Sequence, residues 1–120
     1  MAETNPSFES RFRALSQERG EYWFARDLMT LFGYQDWDAF KNIIHSAQRI
    51  AESVGYKHDN FHPVIRNVNG EAVEDFQVTR SGCSSIALNA DRDIPAVAAA
   101  QDYFVSEVRY EFEDFIEYRD

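Results

Sequence analysis

A chain of 120 residues that is 44% apolar and 15% aromatic is long enough to bury one core without metal or disulfide support, and a single domain over 1–120 is expected. Its formal net charge of −9 at pH 7 excludes the usual way of holding polyanions, in which a broadly basic surface displaces counterions. No apolar run is long enough to span a bilayer, Met1–Pro6 lacks the regions of a signal peptide, and the single Cys83 has no internal disulfide partner, so a reducing cytoplasm is the expected setting.

Residues 1–6 are polar and expected to be disordered. Phe8, Phe12 and Leu15 share one helical face, which predicts a short helix, with an edge strand as the alternative. After a turn at Glu18–Glu21, Tyr22-Trp23-Phe24 reads as a short strand. Phe24, Leu28, Leu31 and Phe32 then recur at helical spacing up to Gly33, where a helix ends readily in a left-handed residue. Asp36 can accept from the free amides of the next turn, so a second helix should begin at Trp37. Its buried stripe is Trp37, Phe40, Ile44, Ala47, Ala51 and Val54, widened by Ile43 and Ile50, and Gly55 ends it. Two helices joined by a glycine-containing turn make a helix-turn-helix pattern. On the outer face, Lys41, His45 and Arg49 stand four residues apart and predict a ridge of solvent-facing donors, with Asn42 beside them.

Val64–Val68, Asn69-Gly70 and Ala72–Val78 form the strongest hairpin signal, because Asn-Gly tolerates the positive φ angles of a two-residue turn. Thr79 can cap a helix over Arg80–Ala90, although Gly82 and the serines around it lower helix propensity. Pro95 suits the first turn of a last helix. In it Val97, Ala98, Gln101, Phe104, Val105, Val108, Phe112, Phe115 and Ile116 keep one stripe, and residues 105–120 form an acidic amphipathic end. The sum is an α+β fold, mainly helical: a helix-turn-helix-like pair, a small antiparallel β-hairpin or sheet, and a long C-terminal helix.

Catalytic chemistry finds little support. Ser81-Gly82-Cys83-Ser84-Ser85 suggests a nucleophile, but nothing places His45, His58 or His62 beside Cys83, and a buried structural cysteine is the better reading. His58 and His62 have a ligand spacing only on a helix, which Pro63 argues against. Glu74 and Asp75 should point to opposite faces of a strand, which prevents a shared acid/base site. No glycine loop for phosphates is present, so neither enzyme activity, cofactor, metal nor small-molecule substrate is expected.

The segment E-Y-W-x-A-R-D-L-M-x-L-x-G-Y-x-x-W-x-x-F-x-N-x-I from Glu21 to Ile44 resembles the N-terminal domain shared by the DNA-damage-inducible protein D family and the wider BRO-N group of phage and viral regulators. Val73-Glu74-Asp75-Phe76, Thr79-Arg80, Cys83, Ile86-Ala87, Asn89-Ala90-Asp91, Ala98, Ala100-Gln101 and Tyr103-Phe104 agree in order, so the resemblance runs from Glu21 to Arg109. Two departures stand out: a shortened turn at Asn69-Gly70, and Ser81, Gly82, Ser84 and Ser85 where relatives carry aromatic and aliphatic residues. The second implies a helix that buries less or faces a different partner.

The resemblance implies a non-enzymatic regulator of phage or prophage transcription, or of DNA-damage and recombination control. In a direct DNA-binding reading, Arg26, Lys41, Arg49, Arg66 and Arg80 supply phosphate contacts, while Asn42 and His45 reach base edges. Arg26 and Arg80 could instead be paired internally with Asp27, Glu74 or Asp75. In the alternative, an acidic antirepressor or DNA-mimicking inhibitor binds a host repressor, recombinase, nuclease or defence complex through Glu107, Glu111, Phe112, Glu113, Asp114, Phe115 and Glu117. A third reading is a homodimeric scaffold paired through the last helix, or the leading domain of a longer protein. Direct DNA binding requires positive side chains gathered on the helix pair and acidic ones turned away; even mixing would leave only the protein-binding reading.

Overall fold

The computed structural model describes residues 7–53, 55 and 59–117, with side chains described as far as 106. The order is α1 (Phe8–Leu15), β1 (Trp23–Phe24), α2 (Ala25–Leu31), α3 (Trp37–Ser53), β2 (Phe61–Val68), β3 (Glu71–Val78), α4 (Arg80–Asn89) and α5 (Pro95–Glu117). The expected disorder of 1–6 and burial of Val54 lie outside the described residues. So do the side chains of Glu107, Glu111, Phe112, Glu113, Asp114, Phe115 and Glu117. No described helix is long and apolar enough to cross a membrane.

The first segment is a helix and not an edge strand, because Ser7 caps it by accepting from the Ser10 amide at 3.1 Å and one face buries Phe12. Phe12 stacks on Trp23 with centroids 4.3 Å apart, and the Trp23 indole donates to the Phe12 carbonyl at 2.7 Å. This double contact joins α1 to β1, and burying two large aromatic surfaces makes it a main anchor of the core. Val97, Ala100 and Phe104 of α5 close the core, with Leu28, Phe32, Phe40, Ile44 and Ile86 inside it.

The sheet is antiparallel in the order β1-β3-β2, so β3 is central and paired on both edges. Asn69 at φ 53° and Gly70 at φ 86° make the expected turn, and the hairpin is longer than the sequence signal suggested, starting at Phe61. The added part contains Pro63, which β2 tolerates as an edge strand. Glu74 and Asp75 point to opposite faces of β3: Asp75 is buried, while Glu74 is exposed on the face that further along the strand buries Phe76 and Val78.

α4 begins as expected: Thr79 Oγ1 accepts from the Gly82 amide at 3.1 Å and donates to Asn60 Oδ1 at 2.7 Å. Gly82 itself is buried against the end of β3. Two expectations are corrected. Val105, assigned to the apolar stripe of α5, is 51% exposed, because Phe104 beside it is the residue turned into the core. Ile50, assigned to the buried stripe of α3, is 54% exposed, and Leu88 of α4 is 60% exposed. Ser81 and Ser85 stand where bulk would be needed to cover them, which leaves a groove of about 480 Å³ between α3 and α4. α4 buries Gly82, Cys83, Ile86 and Ala87 and leaves this part of α3 uncovered.

Candidate nucleic-acid interface

α2 ends at Leu31, Gly33 takes φ 86°, and Asp36 Oδ1 accepts the Asp38 amide at 3.2 Å as α3 begins. A side chain at Gly33 would need that same left-handed backbone and would meet Ile94 Cγ2 at 3.0 Å, so the turn is specific to glycine on two grounds. On the outer side of α3, Asn42, His45 and Arg49 are exposed. The Arg49 guanidinium donates to Ser46 Oγ at 3.2 Å, which steadies it along the helix.

Lys41 departs from the expected ridge of solvent-facing donors. It is half-buried, and its ammonium lies 2.7 Å from Glu74 Oε1. The cause is one turn earlier: the Trp37 ring rests against Phe76 of β3, centroids 6.3 Å apart, and its indole N–H donates to the same Glu74 oxygen at 2.8 Å. These contacts bring the strand carboxylate across the first turn of α3. The Lys41 ammonium, then the Trp37 indole, holds Glu74 below the usual carboxylate range, and Glu74 in turn raises Lys41. The Arg26 guanidinium lies over the Trp37 ring, 4.3 Å from its centroid, with Nε donating to the Glu74 backbone carbonyl at 2.7 Å.

Arg66 is committed differently. It lies over the Phe24 ring at 3.7 Å and donates to Asp75 Oδ2 at 2.9 Å. The other Asp75 oxygen accepts the amides of Arg26 at 3.0 Å and Phe76 at 2.8 Å, so this fully buried carboxylate ties the start of α2 to the sheet. Arg80 is held elsewhere, donating to the Tyr103 hydroxyl at 2.7 Å and lying near the Phe12 and Tyr103 rings. Of the seven proposed nucleic-acid contacts, Arg26 and Lys41 thus meet around Trp37 and Glu74. Asn42, His45 and Arg49 share α3, Arg66 serves Asp75, and Arg80 belongs to the α1–α5 side.

The two signs of charge are mixed over most of the described surface, against the sorting that broad duplex binding would require. Arg13 pairs with Glu9, Lys41 with Glu74, Arg66 with Asp75, and Arg92 with Asp102 at 3.6 Å. Separation holds only over the middle of α3, from Lys41 to Arg49, with exposed Asp38 and Glu52 at its two ends; neither His45 nor Arg49 has an ion pair among the described residues. Trp37 and Glu74 were missed as site residues. A signal for Trp37 was present in its i, i+4 spacing with Lys41, which puts an indole N–H and an ammonium on one turn, whereas nothing local to Glu74 pointed to them.

Asp27 lies near both Arg66 and Asp75, and burial raises its carboxyl above the ordinary value, partly opposed by Arg66 and aided by Asp75. A raised folded pKa means the ionised form is disfavoured in the fold. Its cost is present at neutral pH and disappears as pH falls through the folded pKa. Asp27→Asn is therefore expected to raise the thermal midpoint at pH 7 and to give no gain near pH 3, checked by melts across pH.

Cys83 is buried, and burial pushes its thiol well above the ordinary value, which keeps it protonated and poorly nucleophilic. His62 is exposed on β2, its Nδ1 3.9 Å from Asp59, while His58 lies outside the described residues. Among the described residues no cluster of His, Cys, Asp and Glu is arranged to hold a metal ion.

Comparison with known proteins supplies the ancestry. Over 115 residues the chain is 28% identical to DNA damage-inducible protein D of Escherichia coli (strain K12), covering 91% of this chain and 42% of that protein. It thus spans less than half the length of that relative. No solved structure matches. Residues 11–109, which run from within α1 past the last described side chain of α5, match the N-terminal domain of the BRO family, and the chain belongs to that family.

Proposed function

We propose that this chain is a non-catalytic regulator of a DNA transaction whose duplex contact is local: with the two signs of charge mixed elsewhere, the acid-free middle of the outer face of α3, presented by α2 and its glycine turn as a helix-turn-helix-like unit, is the part that lies on DNA. The observation that carries the reading is the face formed by Asn42, His45 and Arg49, exposed together and flanked by Lys41 and Arg26 at the start of the helix. Asn and His can read base edges, while the cations contact phosphates. The relative is named for its induction by DNA damage. Carried to this chain, that name favours a role in the response to DNA damage, and membership of the BRO family equally suits prophage transcription.

A salt titration of duplex binding tests the reading. Three or four phosphate contacts give a slope of log affinity against log salt of about −3, and Arg49→Ala should reduce its magnitude by roughly 1. Absence of binding at low salt removes direct DNA contact. The second reading, an acidic protein that competes for a partner's DNA-binding groove, is favoured by the net charge of −9 and by the cations already paired with carboxylates. It is the reading retained if the titration shows no binding and the protein displaces a partner from DNA.

A further inference from the structure

Two donors from one turn of α3, the Trp37 indole N–H and the Lys41 ammonium, converge on a single oxygen, Glu74 Oε1, at 2.8 and 2.7 Å. The Arg26 guanidinium lies over the same indole and is fixed there by its bond to the Glu74 carbonyl. An indole N–H, an ammonium and a neighbouring guanidinium together define a position for an anionic oxygen. Carboxylate and phosphate oxygens can replace each other there, since both accept charge-assisted hydrogen bonds.

The present occupant is a replaceable one. Glu74 has a surface side chain, 49% exposed, on the opposite face of β3 from the buried Asp75, so rotation about its side-chain bonds vacates the position while the strand stays paired. Asp75 could not leave in this way, because Arg66 and two backbone amides depend on it. The donors are also placed to work with the rest of α3. Lys41 lies one turn before His45 and two before Arg49, so a phosphate seated at Trp37 would belong to a strand that continues along that face.

We infer that Trp37, Lys41 and Arg26 form a phosphate-binding site that Glu74 occupies as an intramolecular stand-in and vacates when a nucleic-acid phosphate arrives. The inference rests on the nucleic-acid reading above for the source of the phosphate and on the convergence of donors for the site itself. Its consequence is selectivity. A phosphate backbone alone must compete with a tethered carboxylate, so weak nonspecific binding is suppressed, and a duplex that also engages Asn42, His45 and Arg49 can displace it. A negatively charged chain gains a nucleic-acid site this way without the indiscriminate affinity of a basic surface.

The test follows the indole N–H resonances of the full chain by NMR during titration with inorganic phosphate at constant ionic strength. Trp23, buried and bonded to the Phe12 carbonyl, is the internal reference. In Glu74→Ala the Trp37 resonance should shift saturably with an affinity about tenfold above that of the wild-type chain, while Trp23 stays fixed. Adding Lys41→Ala should abolish that gain. Glu71→Ala removes the same charge from an exposed position of the same strand and should change affinity by less than about twofold. An equal Trp37 response in Glu74→Ala and wild type, or an equal gain from Glu71→Ala, overturns the site. Duplex binding by the same proteins separates the two readings. Phosphate titrating Trp37 without duplex binding in any variant supports the site and removes the nucleic-acid reading. A gain in duplex affinity with Trp37 silent to phosphate does the reverse.

Discussion

Replacement of Asp75 by alanine is expected to lower the stability of the folded chain by about 3 kcal/mol, read as a shift in the urea midpoint at unchanged slope. The Asp75 side chain is entirely buried and accepts from the Arg66 guanidinium and from the amides of Arg26 and Phe76. Its removal leaves Arg66 stacked on Phe24 without its ion-pair partner and the first turn of α2 without a side-chain acceptor. Breaking one partner of a buried pair costs roughly 3–5 kcal/mol, and the partial exposure of Arg66 puts this case at the lower end. Asp75→Asn keeps the shape and a carbonyl acceptor and should fall between the two. A loss below about 1 kcal/mol in Asp75→Ala would mean that the link between sheet and α2 is not the fastening described here.

Gly82→Ala should lower the thermal midpoint by roughly 5–10 °C, corresponding to a cost of about 2 kcal/mol. Helix propensity alone gives the opposite sign, since alanine is favoured over glycine by about 1 kcal/mol inside a helix. Packing wins because a Cβ at Gly82 would stand 2.7 Å from Val78 Cγ1 and 2.8 Å from the Asn60 carbonyl oxygen. Val78 is fully buried and β-branched, and the carbonyl belongs to the backbone, so neither neighbour yields easily. A rise in the midpoint would show that α4 can slide away from β3, which the Thr79 bonds to Asn60 Oδ1 and to the Gly82 amide oppose.

These two positions mark where sequence reading stops. Gly82 reads as a weak helix residue until the chain crossing at Asn60 is known, because the contact lies far along the sequence. The hairpin was legible for the opposite reason: Asn69-Gly70 has local conformational preferences that require nothing else of the fold. Helix starts at Trp37, Arg80 and Pro95 were likewise visible, since Asp36, Thr79 and proline act on neighbouring residues. Ile50 was misplaced because periodicity reports that a face is apolar and says nothing of whether Ser81 and Ser85 leave it uncovered.

The site divides in the same way. Lys41, His45 and Arg49 could be placed on one side of α3 by counting, but counting left Lys41 as a solvent-facing donor. β3 alone brings Glu74 to Lys41 and Trp37, and Arg66 to Asp75, so only tertiary structure decides which cations are already engaged. What the amino-acid order determined by itself was the set of elements, the buried Cys83, the opposed faces of Glu74 and Asp75, and the family. All of these follow from short-range periodicity or from motif order. Which charges remain available to a partner was decided by folding, because electrostatic pairing depends on distance in space, and residues more than thirty positions apart meet here within one hydrogen bond.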